Sequence, residues 1–305
     1  MAPVIGPMPT GRRWKGLPVP FFFQQETAEA FHQLEMRDDD VVMSSLTKGG
    51  TTWVHKVLHL LLHGVADDGS LISSDGIGAT NQIYPDAIVK RRGAACDPLN
   101  PPEKEALRVK LFGEWGFEDD LCAQPSPRLF STHFHGEDML PAQLLAPDGK
   151  GRLIIVLRNL KDTLAALHFF QGEAKDGWLG NEHGPGSLAR FIDADCPNAY
   201  GSPFDFVRHG DAAVAALQPS GRVLAVYYED LIRCLPAQVA ASASVALCAA
   251  VSSPRPSPRP SPCPSSRSAR LSYRSPLPTR LPPRPSPPIL IPPRWSVSLS
   301  SSRCR

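Results

Sequence analysis

The sequence predicts an α/β domain in which a central parallel sheet is flanked by helices, and three observations carry that expectation. Strand-like and helix-like patterns alternate from Val41 to Tyr228. Two of the strands, Val41–Leu46 and Arg152–Leu157, are apolar runs without the polar alternation of a sheet that faces water. A glycine loop joins the first of them to an amphipathic helix. On such sheets ligands gather at the carboxyl ends of the strands.

Each element has its own signal. Glu26 to Leu34 has helical spacing, and the run from 41 to 46 is short and apolar enough for a buried strand. Beyond the glycine loop, Trp53, Val54, Val57, Leu58 and Leu61 share one helical face, and Gly64 is a plausible stop. Residues 66 to 127, rich in Gly, Pro and Asp, predict loops and short helices over the sheet. Arg128–Thr132 and Arg152–Leu157 are the next strands, the second a central one because it has no polar face. Asn159 or Asp162 suits the cap of a helix running to Phe170. Ser187–Ile192 and Phe204–Leu217 are further helices, and Arg222–Tyr228 is the last strand.

Near Ser252 the composition changes abruptly, and 15 of the 33 prolines lie between Pro254 and Pro293. Such a tract cannot build a packed core. The expected organisation is a domain over 1–240, incomplete at its C-terminal end, and a disordered Pro/Ser/Arg tail over 241–305. Two readings of the tail stand side by side. One is a disordered extension that docks on aromatic grooves or acidic partners. The other is a translated intron or wrong frame, favoured by the lack of Lys, Asp and Glu.

The net charge of +2 conceals an asymmetry. Eleven of the 32 basic residues and none of the 30 acidic ones follow Asp230, so the earlier part is acidic and the tail basic. The basic balance therefore gives no reason to expect nucleic-acid binding. Seven dispersed cysteines form no C-x-x-C pair and no metal spacing, as free thiols in a reducing compartment do. The N-terminus has no apolar core of a secretory signal, and Ala237–Val251 is shorter than the ~20 residues a membrane span needs. The expectation is a cytoplasmic protein without membrane or metal.

Chemistry concentrates in Leu46-Thr47-Lys48-Gly49-Gly50-Thr51-Thr52-Trp53. Paired glycines bring backbone close to a ligand, a helix start offers unpaired N–H groups, and a lysine and two hydroxyls complete a cradle for a polyanion. Because Lys48 precedes the glycines, the order is not that of a nucleoside-triphosphatase loop. That weakens a kinase reading, and by itself the loop is equally an ordinary strand-to-helix turn. Two strand ends add candidates. Pro127-Arg128-Leu129-Phe130-Ser131-Thr132-His133 ends in an imidazole that can accept a proton near neutral pH, and Arg152 to Leu157 ends in Arg158, a fork suited to phosphate.

Lys-Gly-Gly-Thr-Thr-Trp resembles the 5′-phosphosulfate loop of the cytosolic sulfotransferases. His133 matches the histidine of that family's Pro-Arg-Leu-x-x-Thr-His, and Arg158-Asn159-Leu160-Lys161-Asp162 is similar to its Arg-Asn-Pro-Lys-Asp. Tyr200-Gly201-Ser202 and Tyr228-Glu229-Asp230-Leu231 follow in the family's order. The resemblance implies a P-loop-like sulfotransferase fold. It further implies transfer of a sulfuryl group from 3′-phosphoadenosine 5′-phosphosulfate to a phenol, alcohol or amine, without a metal, and leaves room for a homodimer. It makes His133 the base and Lys48 the stabiliser of the leaving oxygen. Gly49, Gly50, Thr51 and Thr52 would hold the 5′-phosphate, Trp53 and Tyr200 the adenine, and Arg158 the 3′-phosphate. Ala166 stands where the family has a second 3′-phosphate ligand, a serine. The family's C-terminal Arg-Lys-Gly loop has no counterpart, and the helices after the last strand are expected to be missing with it. The competing expectation is a catalytically inactive relative that binds partners through its tail. Phe21, Phe22 and Phe23, with the 66–127 region, are candidates for lining an acceptor pocket, although aromatic runs are more often plain core.

Overall fold

The computed structural model describes residues 13–20, 22–64, 83–91, 102–112, 114, 116–124, 126–173 and 200–247. Phe21, the expected helix at Ser187–Ile192 and the Pro/Ser/Arg tail lie outside them. A short antiparallel pair, β1 (Arg13–Trp14) and β2 (Leu17–Pro18), precedes helix α1 (Gln25–His32). Strand β3 (Val41–Ser45) leads into α2 (Thr51–His63). After α3 (Pro102–Phe112) and α4 (Phe117–Ala123) come β4 (Leu129–Thr132), α5 (Ala142–Leu145), β5 (Arg152–Leu157) and α6 (Leu160–Glu173). Helix α7 (Pro203–Leu217), strand β6 (Val223–Tyr227), α8 (Tyr228–Arg233) and α9 (Leu235–Leu247) complete the described chain.

The four strands β3 to β6 form one parallel sheet in the order β4-β3-β5-β6. Every residue of β3 and β4 is buried, as is β5 up to Val156, which explains why β3 and β5 read as apolar runs without a polar face. Alternate residues serve opposite faces. Val42, Leu153, Ile155 and Val223 pack with Phe31, Phe130, Phe134 and Phe206, whereas Val41, Met43, Ile154, Val156 and Val226 meet Val54 and Leu58 of α2. Two separate cores result, one on each face.

Two expectations are corrected at the C-terminal end. The last strand stops at Tyr227, and Tyr228 opens α8. Helices do follow it: α9 runs past position 240, the expected domain boundary, and places Ala246 in the core with Val54 and Val226. Its alanine-rich sequence forms helix readily, and its lack of a bold apolar stripe hid it.

At the opposite, amino end of the sheet a buried ion pair joins two strands. Arg128 Nε donates to Asp40 Oδ1 at 2.8 Å and Nη2 donates to Oδ2, with the two side chains 5 % and 0 % exposed. Asp40 also accepts the Arg37 N–H at 2.7 Å. Removing one partner strands the other charge, so Asp40→Ala is expected to cost about 3–5 kcal/mol in urea unfolding. A loss below 1 kcal/mol would show that the pair carries little of the fold.

Candidate active site at the carboxyl edge of the sheet

Parallel pairing sets Ser44 beside Thr132, Ser45 beside Val156, and Leu157 beside Tyr227. The residues that follow these strand ends therefore share one edge: Leu46 to Gly50 after β3, His133 after β4, Arg158 after β5 and Tyr228 after β6. Motifs far apart in sequence are brought together by register alone.

The loop after β3 turns tightly. Gly49 N–H donates to the Leu46 carbonyl at 2.8 Å, and a Cβ on Gly49 would lie 2.8 Å from that same oxygen. Lys48 is left-handed at φ 64°, and Gly50, the N-cap of α2, sits at φ 111°. A Cβ on Gly50 would also stand 2.6 Å from the Tyr228 ring, so conformation and close approach both require glycine there. Gly50 has no side chain to cap α2, and the first-turn N–H groups point into the loop. Thr51 and Ser45 hydroxyls share a hydrogen bond of 2.6 Å, while Thr52 is exposed at the helix start.

Arg158 leans over this loop. Its Nη1 donates to the Lys48 carbonyl at 2.9 Å, its guanidinium lies 4.4 Å from the centre of the Tyr228 ring, and its buried Nε has no hydrogen-bond partner. Tyr228 meets Trp53 edge-on, with ring centres 5.5 Å apart and planes at 82°. Trp53, Tyr228 and Arg158 thus form one wall of the loop. Behind it, Asn159 Oδ1 accepts the Lys161 N–H at 3.0 Å as the cap of α6, and Glu229 Oε1 accepts the Asn159 N–H at 2.9 Å. Glu229 thus ties the start of α8 to the start of α6.

His133 is held by both ring nitrogens. Nδ1–H donates to the Ser45 carbonyl at 2.7 Å, which leaves Nε2 with its lone pair toward the Tyr84 hydroxyl, 2.9 Å away. Burial lowers its pKa from 6.5 to about 4, against the opposing bond to Ser45, so the ring is neutral at pH 7. Asp86 Oδ2 accepts the His133 backbone N–H at 3.3 Å. Burial raises the Asp86 carboxyl from 3.8 to about 7, partly offset by hydrogen bonds.

Among the described ring contacts Tyr200 meets His133, Phe23 and Phe134 rather than Trp53. Its left-handed backbone (φ 69°) turns the ring into the opposite core, against Phe23 and Phe134 and 5.8 Å from His133. Its buried hydroxyl faces the buried Asp86 carboxyl, and the two groups couple electrostatically. A motif identifies the residue but not the face of the sheet on which its ring lands. Phe22 and Phe23 are core as well, at 7 % and 4 % exposure.

Residues 38–246 match the sulfotransferase domain. The chain belongs to the sulfotransferase family. Mouse sulfotransferase 6B1 is 27 % identical over 164 residues, which cover 53 % of this chain and 43 % of that protein. Mouse sulfotransferase 1A1 is 28 % identical over 219 residues, covering 71 % and 62 %. This sulfotransferase chain thus spans about half the length of the curated relatives it matches. The fold is shared with a retinol dehydratase solved in complex with retinol and PAP, at a TM-score of 0.52 and 18 % identity over 72 % of this chain and 63 % of that one.

Three members of the edge escaped the sequence. Tyr84 and Asp86 fall in the stretch without periodicity. Only the turn signal of Pro85 and Asp86 marked it, and nothing there pointed to His133. Tyr228 read as the end of a strand rather than the start of a helix. Among the described residues no group of His, Cys, Asp and Glu is arranged to hold a metal ion, and no helix is long and apolar enough to cross a membrane.

Proposed function

We propose that the chain transfers a sulfuryl group from 3′-phosphoadenosine 5′-phosphosulfate to a hydroxyl or amine of a small molecule. The observation that carries this reading is the convergence of the Lys48 loop, His133 and Arg158 on one sheet edge. The residues suit the donor. The first-turn N–H groups of α2, Thr51 and Thr52 offer donors to a 5′-phosphate, and the unpartnered Nε of Arg158 calls for an acceptor such as the 3′-phosphate. Trp53, backed by Tyr228, offers a ring face to adenine. The PAP in the retinol dehydratase of the same fold supports the donor part of this reading.

In the reaction the acceptor oxygen attacks sulfur while the bond from sulfur to the bridging phosphate oxygen breaks. Lys48 meets the charge that grows on that oxygen. His133, neutral at pH 7, takes the acceptor proton on Nε2, and its Nδ1–H bond to Ser45 fixes the tautomer and ring plane.

Calorimetry with adenosine 3′,5′-bisphosphate tests the donor site without any acceptor. Micromolar binding is expected, weakened about 10- to 100-fold in Arg158→Ala, as loss of a charge-assisted contact entails, and weakened also in Lys48→Ala. A folded sample that binds no bisphosphate would overturn the proposal.

A further inference from the structure

The acceptor side of the site already holds a phenol. The Tyr84 hydroxyl lies 2.9 Å from His133 Nε2, and because Nδ1 of that ring donates to Ser45, the phenol must be the donor in this bond. The same hydroxyl reaches the side chain of Thr51, the first residue of α2. A phenolic O–H thus stands between the base and the cradle.

Its placement is firm. Ile83 bridges to Phe130, and the Ser131 N–H donates to the Ile83 carbonyl at 3.0 Å, so this segment lies along β4. The Tyr84 carbonyl accepts the N–H groups of Ala87 and Ile88, and Arg108 Nη1 ties down the Ala87 carbonyl at 3.0 Å. The ring packs with Phe22 and Ala87 and is 6 % exposed. Burial holds the phenol protonated well above its ordinary range. It becomes a nucleophile only if a base takes its proton, and His133 is in contact with it.

We infer that Tyr84 is itself an acceptor: with the sulfate donor bound and no small molecule in competition, its hydroxyl takes the sulfuryl group. The inference rests on the donor reading proposed above. The Tyr84 oxygen bonds to sulfur, the bond from sulfur to the bridging phosphate oxygen breaks, and the phenol proton passes to His133 Nε2 and then to solvent. The products are an O-sulfate on Tyr84 and adenosine 3′,5′-bisphosphate. The ester removes the hydrogen from the bond to His133 and places an anion beside the base, so each such event silences its own site. A small phenol that enters the site protects against it.

The full chain incubated with sulfur-labelled donor, without acceptor, provides the test. Expected is one label per chain, found by peptide mass spectrometry on Tyr84 as one added SO3 group. Labelling is absent in Tyr84→Phe and slowed roughly 100-fold in His133→Ala. Added 4-nitrophenol slows it in the wild type. Calorimetry with the bisphosphate on all three proteins runs in parallel. Donor binding with no label, or with label elsewhere, overturns the inference and leaves the donor reading standing. A folded chain that binds no bisphosphate overturns both.

Discussion

His133→Ala is expected to lower kcat with a phenol acceptor by about 10²- to 10⁴-fold while leaving affinity for adenosine 3′,5′-bisphosphate within twofold of wild type. The split follows from geometry. Donor groups belong to the Lys48 loop, α2 and Arg158, which the His133 ring touches only at one remove, through Ser45 and Tyr84 to Thr51, whereas the acceptor proton has Nε2 as its destination. Loss of the ring leaves the Ser45 carbonyl and the Tyr84 hydroxyl beside a hole, and neither can serve as a base at neutral pH. Turnover and calorimetry on the same preparation check both halves. A kcat within tenfold of wild type would remove His133 from the mechanism, and an equal loss of bisphosphate binding would mark it as structural.

Lowering the pH is expected to unfold the domain steeply. His55, His133 and His135 are neutral in the fold, with pKa values brought down by burial to about 3, 4 and 4 from 6.5. Each is protonated in the unfolded chain below 6.5, so the stability is intact above that pH and drains away as pH falls toward the folded values. Asp86 works the other way. Its folded pKa of about 7 means the native state carries a proton that the unfolded chain lacks between about 3.8 and 7. Three protons favouring the unfolded chain less one favouring the fold leave two, or about 2.7 kcal/mol per pH unit between roughly pH 6.5 and 4, and His59 and His63, also lowered by burial, add to the same sign. Two such units remove about 5 kcal/mol, as much as the whole stability of many domains.

The neighbours reinforce the sign. His55 has its Nδ1 on the Ser131 hydroxyl at 2.8 Å, an unpartnered Nε2, and His59 beside it, whose own pKa burial also lowers. His135 donates from Nε2 to the Tyr200 carbonyl and meets the His209 ring at 2.8 Å, with Asp205 pulling weakly the other way. Urea unfolding at pH 7, 6 and 5 measures the slope. Stability that is level across that range would contradict the neutral, buried state of these rings.

The sheet and the cradle were legible because burial on both faces demands unbroken apolar runs, and because a tight turn into a helix demands glycine. Val41–Ser45, Arg152–Leu157 and Gly50 carry those demands openly. Register then made the functional edge legible too, since residues following parallel strands end up together. What stayed hidden depends on direction rather than composition. Tyr200 turns its ring into the core on the face away from α2, beside His133, and the irregular segment around Tyr84 and Asp86 reaches His133 by pairing beside β4. Helix α9 hid for a third reason, since its alanines say helix without saying which face is inward.

The ring of Tyr228 standing over Gly50 sets an order of assembly. The cradle residues are made early in synthesis, yet the wall that completes their ligand surface arrives only after β6 has docked on the far side of β5. A contact so distant along the chain cannot form until everything through Tyr228 has been made. On the donor reading proposed above, competence to grip the bisphosphate doubles as a report that synthesis has passed Tyr228 and the last strand has been accepted, and a nascent or clipped chain stopping short of it carries the motif without the wall.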